Sequence, residues 1–316
     1  MMHTLDLLGE SVRTLDEAYA ATRQYLDVVQ AVAQAGIGRG ISLKLTQLGL
    51  DVDKATAIDN LRRILEHAEP AEFFVRVDME NSPYTEVTLE IFEMLWGYGH
   101  RGIGVVLQSA LYRSDQDLAR MNALGASVRL VKGAYKEPKS VAYQRKADVD
   151  AAYLRMAKTL VTDGHYPAIA THDAVMIDAV RQFARERNIA ADRFEFQMLY
   201  GIRRDLQNRL VKDGYRLRVY IPFGREWFPY FMGRAPGTFD CTAMDWFLER
   251  ARAIGAHVGP PQPILLGRHV LEMGLKPGPR VGEILKAVYE EQLDGSVTTL
   301  EAALTRAKEL VGTSKS

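Results

Sequence analysis

Eight short runs rich in β-branched and apolar residues recur in this chain, at 4–8, 41–46, 73–78, 103–108, 127–132, 168–171, 194–198 and 217–221. Between them lie longer stretches of helical periodicity, at 15–35, 54–68, 83–96, 115–124, 148–163, 174–187 and 203–212. Strands separated by helices pair in parallel, because a parallel neighbour needs a crossover of helical length. Eight such units predict closure into a (β/α)8 TIM-like barrel, for which about 250 residues are typical. The open, doubly wound alternative usually carries a glycine-rich phosphate turn after its first strand. Here that segment is Leu7-Leu8-Gly9-Glu10-Ser11-Val12, with no such turn. Pro83 after Ser82 signals a helix start, and Gly36, Gly99, Gly125, Gly164 and Gly214 stand where a left-handed cap is expected.

The pattern changes after Tyr230. Residues 233–237 form a breaker cluster, and beyond it only helices are expected, at 244–254, 267–273, 281–292 and 298–310, with a stiff proline link at 259–263. The reading is an α/β barrel over 1–234 and an all-α appendage over 235–316. Balanced charge, with 40 Lys+Arg against 40 Asp+Glu, gives no hint of a basic nucleic-acid surface. The single cysteine, Cys241, forbids an internal disulfide and suits a reducing compartment. Residues 1–10 lack a signal-peptide pattern, and no segment approaches the ~20 apolar residues of a membrane span. These features predict a cytoplasmic protein.

In barrels of this kind the loops after the strands form the active face. The strands end, in order, on Asp6, Lys44, Asp78, Gln108, Arg129 with Lys132, His172, Gln197 and Tyr220. A polar or ionisable group at every strand end points to a ring of ligand contacts; the plainer alternative is that they pair with one another at the rim. His67, His100, His165, His257 and His269 have no ligand-like spacing, so no metal is expected. The three tryptophans are read as packing and 181–187 as a solvated helix face.

Five strings in these strands carry a resemblance: Ile-Ser-Leu-Lys-Leu-Thr at 41–46, Val-Arg-Leu-Val-Lys-Gly-Ala-Tyr at 128–135, Ala-Thr-His-Asp at 170–173, Phe-Glu-Phe-Gln-Met-Leu-Tyr-Gly at 194–201 and Arg-Val-Tyr-Ile-Pro-Phe-Gly at 218–224. In order and spacing, residues 4–232 resemble the proline dehydrogenases, and among them the monofunctional bacterial enzymes. The resemblance implies FAD held non-covalently in the barrel mouth and oxidation of L-proline to Δ1-pyrroline-5-carboxylate by hydride transfer to the flavin N5. It implies flavin contacts at Val106, Gln108, Arg129 (near N5), Val131, Lys132, Gly133, Ala134, Thr171, His172 and Gln197. For the substrate it implies Lys44, Asp78, Tyr135, Leu199, Tyr220, Tyr230 and Arg234, with Asp6 as the acid facing a gate arginine. It further implies a quinone as electron acceptor and leaves open peripheral attachment at the inner membrane face.

Two departures accompany the resemblance. The family's leading helices have no counterpart before residue 4. The family's eighth helix carries Tyr-x-x-Arg-Arg-x-x-Glu, whereas here the string is Tyr230-Phe231-Met232-Gly233-Arg234-Ala235-Pro236-Gly237. Gly233 replaces the first arginine and Gly237 the glutamate, which predicts a weakened carboxylate clamp and an impaired enzyme. The tail, over 244–310, resembles the carboxy-terminal helices of bacterial CCA-adding tRNA nucleotidyltransferases. Its strings are Pro263-Ile264-Leu265-Leu266-Gly267-Arg268-His269, 274–279, 291–295 and 298–304. That family's catalytic domain has no counterpart here, so neither nucleotide transfer nor nucleic-acid binding is expected. Two other readings remain: a Schiff-base aldolase using Lys44 or Lys132, and an inactive barrel fused to a helical interaction module.

Overall fold

The computed structural model describes residues 1–9, 12–36, 38–224, 263–275, 278–294 and 296–312. Eight strands close into a parallel barrel in sequence order: β1 (Met2–Leu7), β2 (Gly40–Leu43), β3 (Phe74–Val77), β4 (Ile103–Gln108), β5 (Ser127–Val131), β6 (Ala168–Ala170), β7 (Glu195–Leu199) and β8 (Arg216–Phe223). The strands alternate with α1 (Leu15–Ala35), α2 (Lys54–Ala68), α3 (Thr85–Gly97), α4 (Ser114–Leu124), α5 (Lys146–Asp163), α6 (Ala174–Glu186) and α7 (Arg204–Lys212). The seam between β1 and β8 is registered over six pairs, from Met2↔Arg218 to Leu7↔Phe223.

Alternation along each strand sends the two faces to different solvents. Outward residues such as Ile41, Leu43, Val75, Val77, Val105, Leu130, Ile169 and Phe196 join the helices in the main apolar core. Inward residues are largely polar. Near the foot of the lumen, Arg76 donates through Nη1 to the Ser127 carbonyl at 2.6 Å and the Val105 carbonyl at 3.0 Å. Gly104 makes room for it: a Cβ there would lie 2.6 Å from Arg76 Nη1 and 2.6 Å from the Ser127 carbonyl oxygen.

Local signals explain the helices. Thr14 and Glu17 form a capping box at α1, and the carboxylates of Asp53 and Asp173 cap α2 and α6. Three expectations need correction. Pro83 opens a short 3-10 turn, Ser82–Tyr84, before α3 begins at Thr85. Gly164 is extended (φ −78°, ψ 158°), not left-handed; glycine serves there because a Cβ would meet the Leu160 carbonyl oxygen at 2.5 Å. Several strands shift by one to three residues at their ends; β2 stops at Leu43 because Lys44 already enters the following turn.

The described residues fall into two compact units, one within Met1–Thr238 and one within Phe239–Ser316. In the second, α8 (Gly267–Glu272), α9 (Pro279–Asp294) and α10 (Leu300–Gly312) enclose a small core of Leu265, Val270, Ile284, Val288, Val297, Ala303 and Ala307. The expected boundary near 235 and the helix at 244–254 lie outside the described residues. No described helix is long and apolar enough to cross a membrane.

Candidate active site

The strand ends meet as two unlike walls of one mouth. Strands β8, β1, β2 and β3 supply a charged arc. Asp6, fully buried, accepts from Lys44 Nζ at 3.1 and 3.3 Å. Lys44 also lies 3.6 Å from Asp78. The Asp78 carboxylate takes the Tyr220 hydroxyl at 2.8 Å on one oxygen and Arg129 Nη1 at 2.5 Å on the other. Arg129 reaches across from β5, is also held by Ser42 Oγ at 2.9 Å, and lies over the Tyr220 ring at 5.2 Å. Two acids and two cations thus hold one another inside a nearly closed space, where losing one partner leaves a buried charge uncompensated. Burial raises the Asp6 carboxyl to about 6; Lys44 pulls it down and the nearby Asp78 pushes it further up.

The other arc, β4 to β7, is apolar with amides at its edges. By alternation, Val106, Val131, Ala170 and Leu199 face the lumen between Gln108, Gln197 and His172. On β6 the inward positions are Ala168 and Ala170, which leave a shelf between the levels of Arg129 and Gln197. Gln108 donates to the Glu80 carbonyl at 2.8 Å. His172 Nε2 accepts from the Leu199 amide at 2.9 Å, which places the ring proton on Nδ1. Gln197 donates to Glu195 at 2.5 Å, while its carbonyl oxygen is buried without a partner among the described residues. An apolar slot edged by amides, with a buried acceptor still to be satisfied, fits a planar heteroaromatic group.

Other expected residues lie elsewhere. Lys132 turns out of the lumen: it pairs with Asp150 of α5 at 2.6 Å and Asp173 at 2.9 Å. Burial opposes ionisation of Asp173, but Lys132 outweighs it and holds that carboxyl below its usual range. Thr171 Oγ1 accepts from the Asp173 amide at 3.1 Å, so both residues brace the start of α6. Gly133, at φ +113°, lets the loop turn where a Cβ would meet Gln108 Oε1 at 2.9 Å. Ala134 and Tyr135 follow in the same loop, with Tyr135 exposed. Tyr230 and Arg234 lie outside the described residues. Among the described residues no cluster could hold a metal ion.

Four contributors escaped the strand-end reading. Ser42 holds Arg129, Thr4 bonds Ser42 at 3.2 Å, Glu195 holds Gln197, and Glu80 binds the Thr46 amide and hydroxyl at 3.2 and 2.7 Å. Thr4, Ser42 and Glu195 each precede a strand-end residue by two, and a period of two keeps the same face. That spacing was the available signal.

A family model described as proline dehydrogenase matches residues 1–235. Proline dehydrogenase 2 of Bacillus subtilis (strain 168) is 43% identical over 232 residues, which are 73% of this chain and 76% of that protein. Proline dehydrogenase of Deinococcus radiodurans is 43% identical over 238 residues, 74% of this chain and 77% of that one. A crystal structure of proline utilization A from Bdellovibrio bacteriovorus, inactivated by N-propargylglycine, aligns with a TM-score of 0.69 at 25% identity. That alignment covers 94% of this chain, which spans only 37% of the other. With the closed barrel and a mouth lined by the matched strand ends, the chain belongs to the proline dehydrogenase family.

Proposed function

We propose that this chain oxidises L-proline to Δ1-pyrroline-5-carboxylate as a step of proline catabolism, with FAD in the mouth of the barrel. The observation that carries this reading is the division of the mouth: a charged arc suited to a small zwitterion faces an apolar, amide-edged arc suited to a flavin ring. FAD, when bound, supplies the two-electron acceptor for the hydride leaving proline C5. Val106, Val131, Ala170 and Leu199 would line its ring, with Gln108, His172 and Gln197 at the edges. Gly133 and Ala134 carry the loop past it, and Lys132 and Thr171 support that wall from behind.

The charged arc does the rest. Lys44 is the cation proposed for the carboxylate and Arg129 the one near the flavin N5, and Asp6 and Asp78 keep both side chains extended into the lumen. Tyr220 adds an aromatic wall that excludes water from an apolar ring. Tyr135 is assigned to the substrate side; the roles that the family resemblance implies for Tyr230 and Arg234 fall outside the described residues. The amine of proline must be unprotonated to release the hydride, so turnover rises towards alkaline pH. A quinone is the class of acceptor we assign to reoxidation.

The test is an anaerobic visible spectrum of the purified full chain with FAD, before and after L-proline. A yellow protein bleached by proline supports the proposal. A colourless protein that takes up no FAD, or one whose bound FAD proline leaves oxidised, overturns it.

A further inference from the structure

The buried pair Glu195 and Gln197 stands side by side on the inner face of β7, and nothing in the reaction proposed above uses Glu195. Glu195 is 2% exposed and Gln197 3%. The Glu195 carboxylate is surrounded by donors. Its Oε1 accepts from Arg218 Nε at 2.7 Å and Gln197 Nε2 at 2.5 Å. Its Oε2 accepts from Arg218 Nη2 at 3.0 Å and the Tyr166 hydroxyl at 3.1 Å. Arg218 is itself tied to the His3 carbonyl at 3.0 Å across the β1–β8 seam. The acid therefore cannot turn away.

An amide can present either its oxygen or its nitrogen, and its orientation follows its neighbours. Burial opposes ionisation of Glu195, but Arg218, Gln197 and Arg76 outweigh it and hold the carboxyl below its usual range. An ionised carboxylate only accepts, so it claims the Gln197 NH2 and leaves the Gln197 carbonyl oxygen facing away. That oxygen is the buried acceptor left without a partner among the described residues. An unsatisfied buried acceptor is costly, so the site is built to receive a donor.

We propose that Glu195 is a positioning residue: it fixes the amide of Gln197 so that the site offers an acceptor to a ring N–H of the cofactor. This rests on the reading of the mouth as a flavin site. The oxidised isoalloxazine ring has a single N–H, so an acceptor at this wall selects one edge of the ring. The Glu195–Arg218 pair thereby sets the ring's direction from a carboxylate that does not touch it.

Four forms of the full chain test this: wild type, Gln197→Met, Glu195→Gln and the double variant Glu195→Gln with Gln197→Glu. FAD affinity is read by fluorescence quenching and the bound flavin's visible bands by absorbance. The unfolding midpoint without FAD reports on folding. Gln197→Met keeps the Glu195–Arg218 pair and removes only the acceptor; it should weaken FAD binding about tenfold, one hydrogen bond's worth. Glu195→Gln should weaken it similarly and shift the visible bands. The double variant should recover most of the affinity, since a carboxylate at 197 can only accept. Wild-type affinity in Gln197→Met overturns the inference whatever happens to Glu195→Gln. So does a double variant as weak as Glu195→Gln with an unchanged unfolding midpoint, because a folded chain with an obligate acceptor at 197 would then gain nothing from it. A wild type that binds no FAD sinks the proposed function itself, a separate outcome.

Discussion

Asp6 and Lys44 carry opposite obligations. The Asp6 carboxyl, raised by burial to about 6 from 3.8, binds a proton in the folded chain that the unfolded chain has already released between those values. Its contribution therefore favours folding fully below pH 4 and is lost as pH rises through 6. Two units correspond to about 3 kcal/mol. Urea midpoints from pH 4 to 7 should decline more steeply in wild type than in Asp6→Asn; parallel curves would remove Asp6 as the cause. Lys44, which donates to Asp6, is the cation proposed above to meet the substrate carboxylate. Lys44→Ala should raise the Michaelis constant for proline by roughly 10- to 200-fold, the loss of one charge-assisted bond. FAD should stay bound, because Lys44 lies on the charged arc; loss of FAD without a change for proline would place it on the wrong wall.

At the scale of the elements, β4 depends on an absence. Gly104 leaves the space that Arg76 fills from β3, and a Cβ would also come within 2.7 Å of the Phe74 ring. Gly104→Ala should cost about 1–3 kcal/mol as overpacking, read as a lower thermal midpoint; an unchanged midpoint would show that Arg76 can yield. Such features mark the limit of what the sequence discloses. Helices α1 and α2 were legible to the residue because amphipathic periodicity coincides with Thr14 and Asp53 as caps. The eight strands were legible because their outward faces are apolar and their ends polar. Pro83 read as a helix start but delivers a 3-10 turn, since the proline rule does not distinguish the two. Asp78, Lys44, Arg129 and Tyr220 were found as separate strand ends; that they bond one another depends on barrel closure, which no local pattern encodes. The outward turn of Lys132 was hidden too: it follows from one-residue alternation after Val131, and its carboxylate partners come from α5 and the loop before α6.

The whole molecule adds what no strand holds alone. If FAD sits in the mouth as proposed, it would bind the closed barrel and not the open chain, so FAD should stabilise the fold by linkage. At 100 times the dissociation constant the gain is about 2.7 kcal/mol, visible as a rise in thermal midpoint with added FAD; a midpoint indifferent to FAD would mean that the folded barrel does not hold it. Closure itself joins positions far apart: Arg218 donates to the His3 carbonyl across a sequence separation of 215, along a seam of six registered pairs. During synthesis, at about 5–20 residues per second, the first strand waits roughly 10–40 s for its last neighbour. Through that interval one edge of β1 has no strand to pair with. The growing sheet is then an open template on which another nascent chain could add a strand. The seam that completes the active mouth is thus also the step at which a ribosome-bound chain is most exposed to misassembly, and where a holding chaperone would have the most to cover.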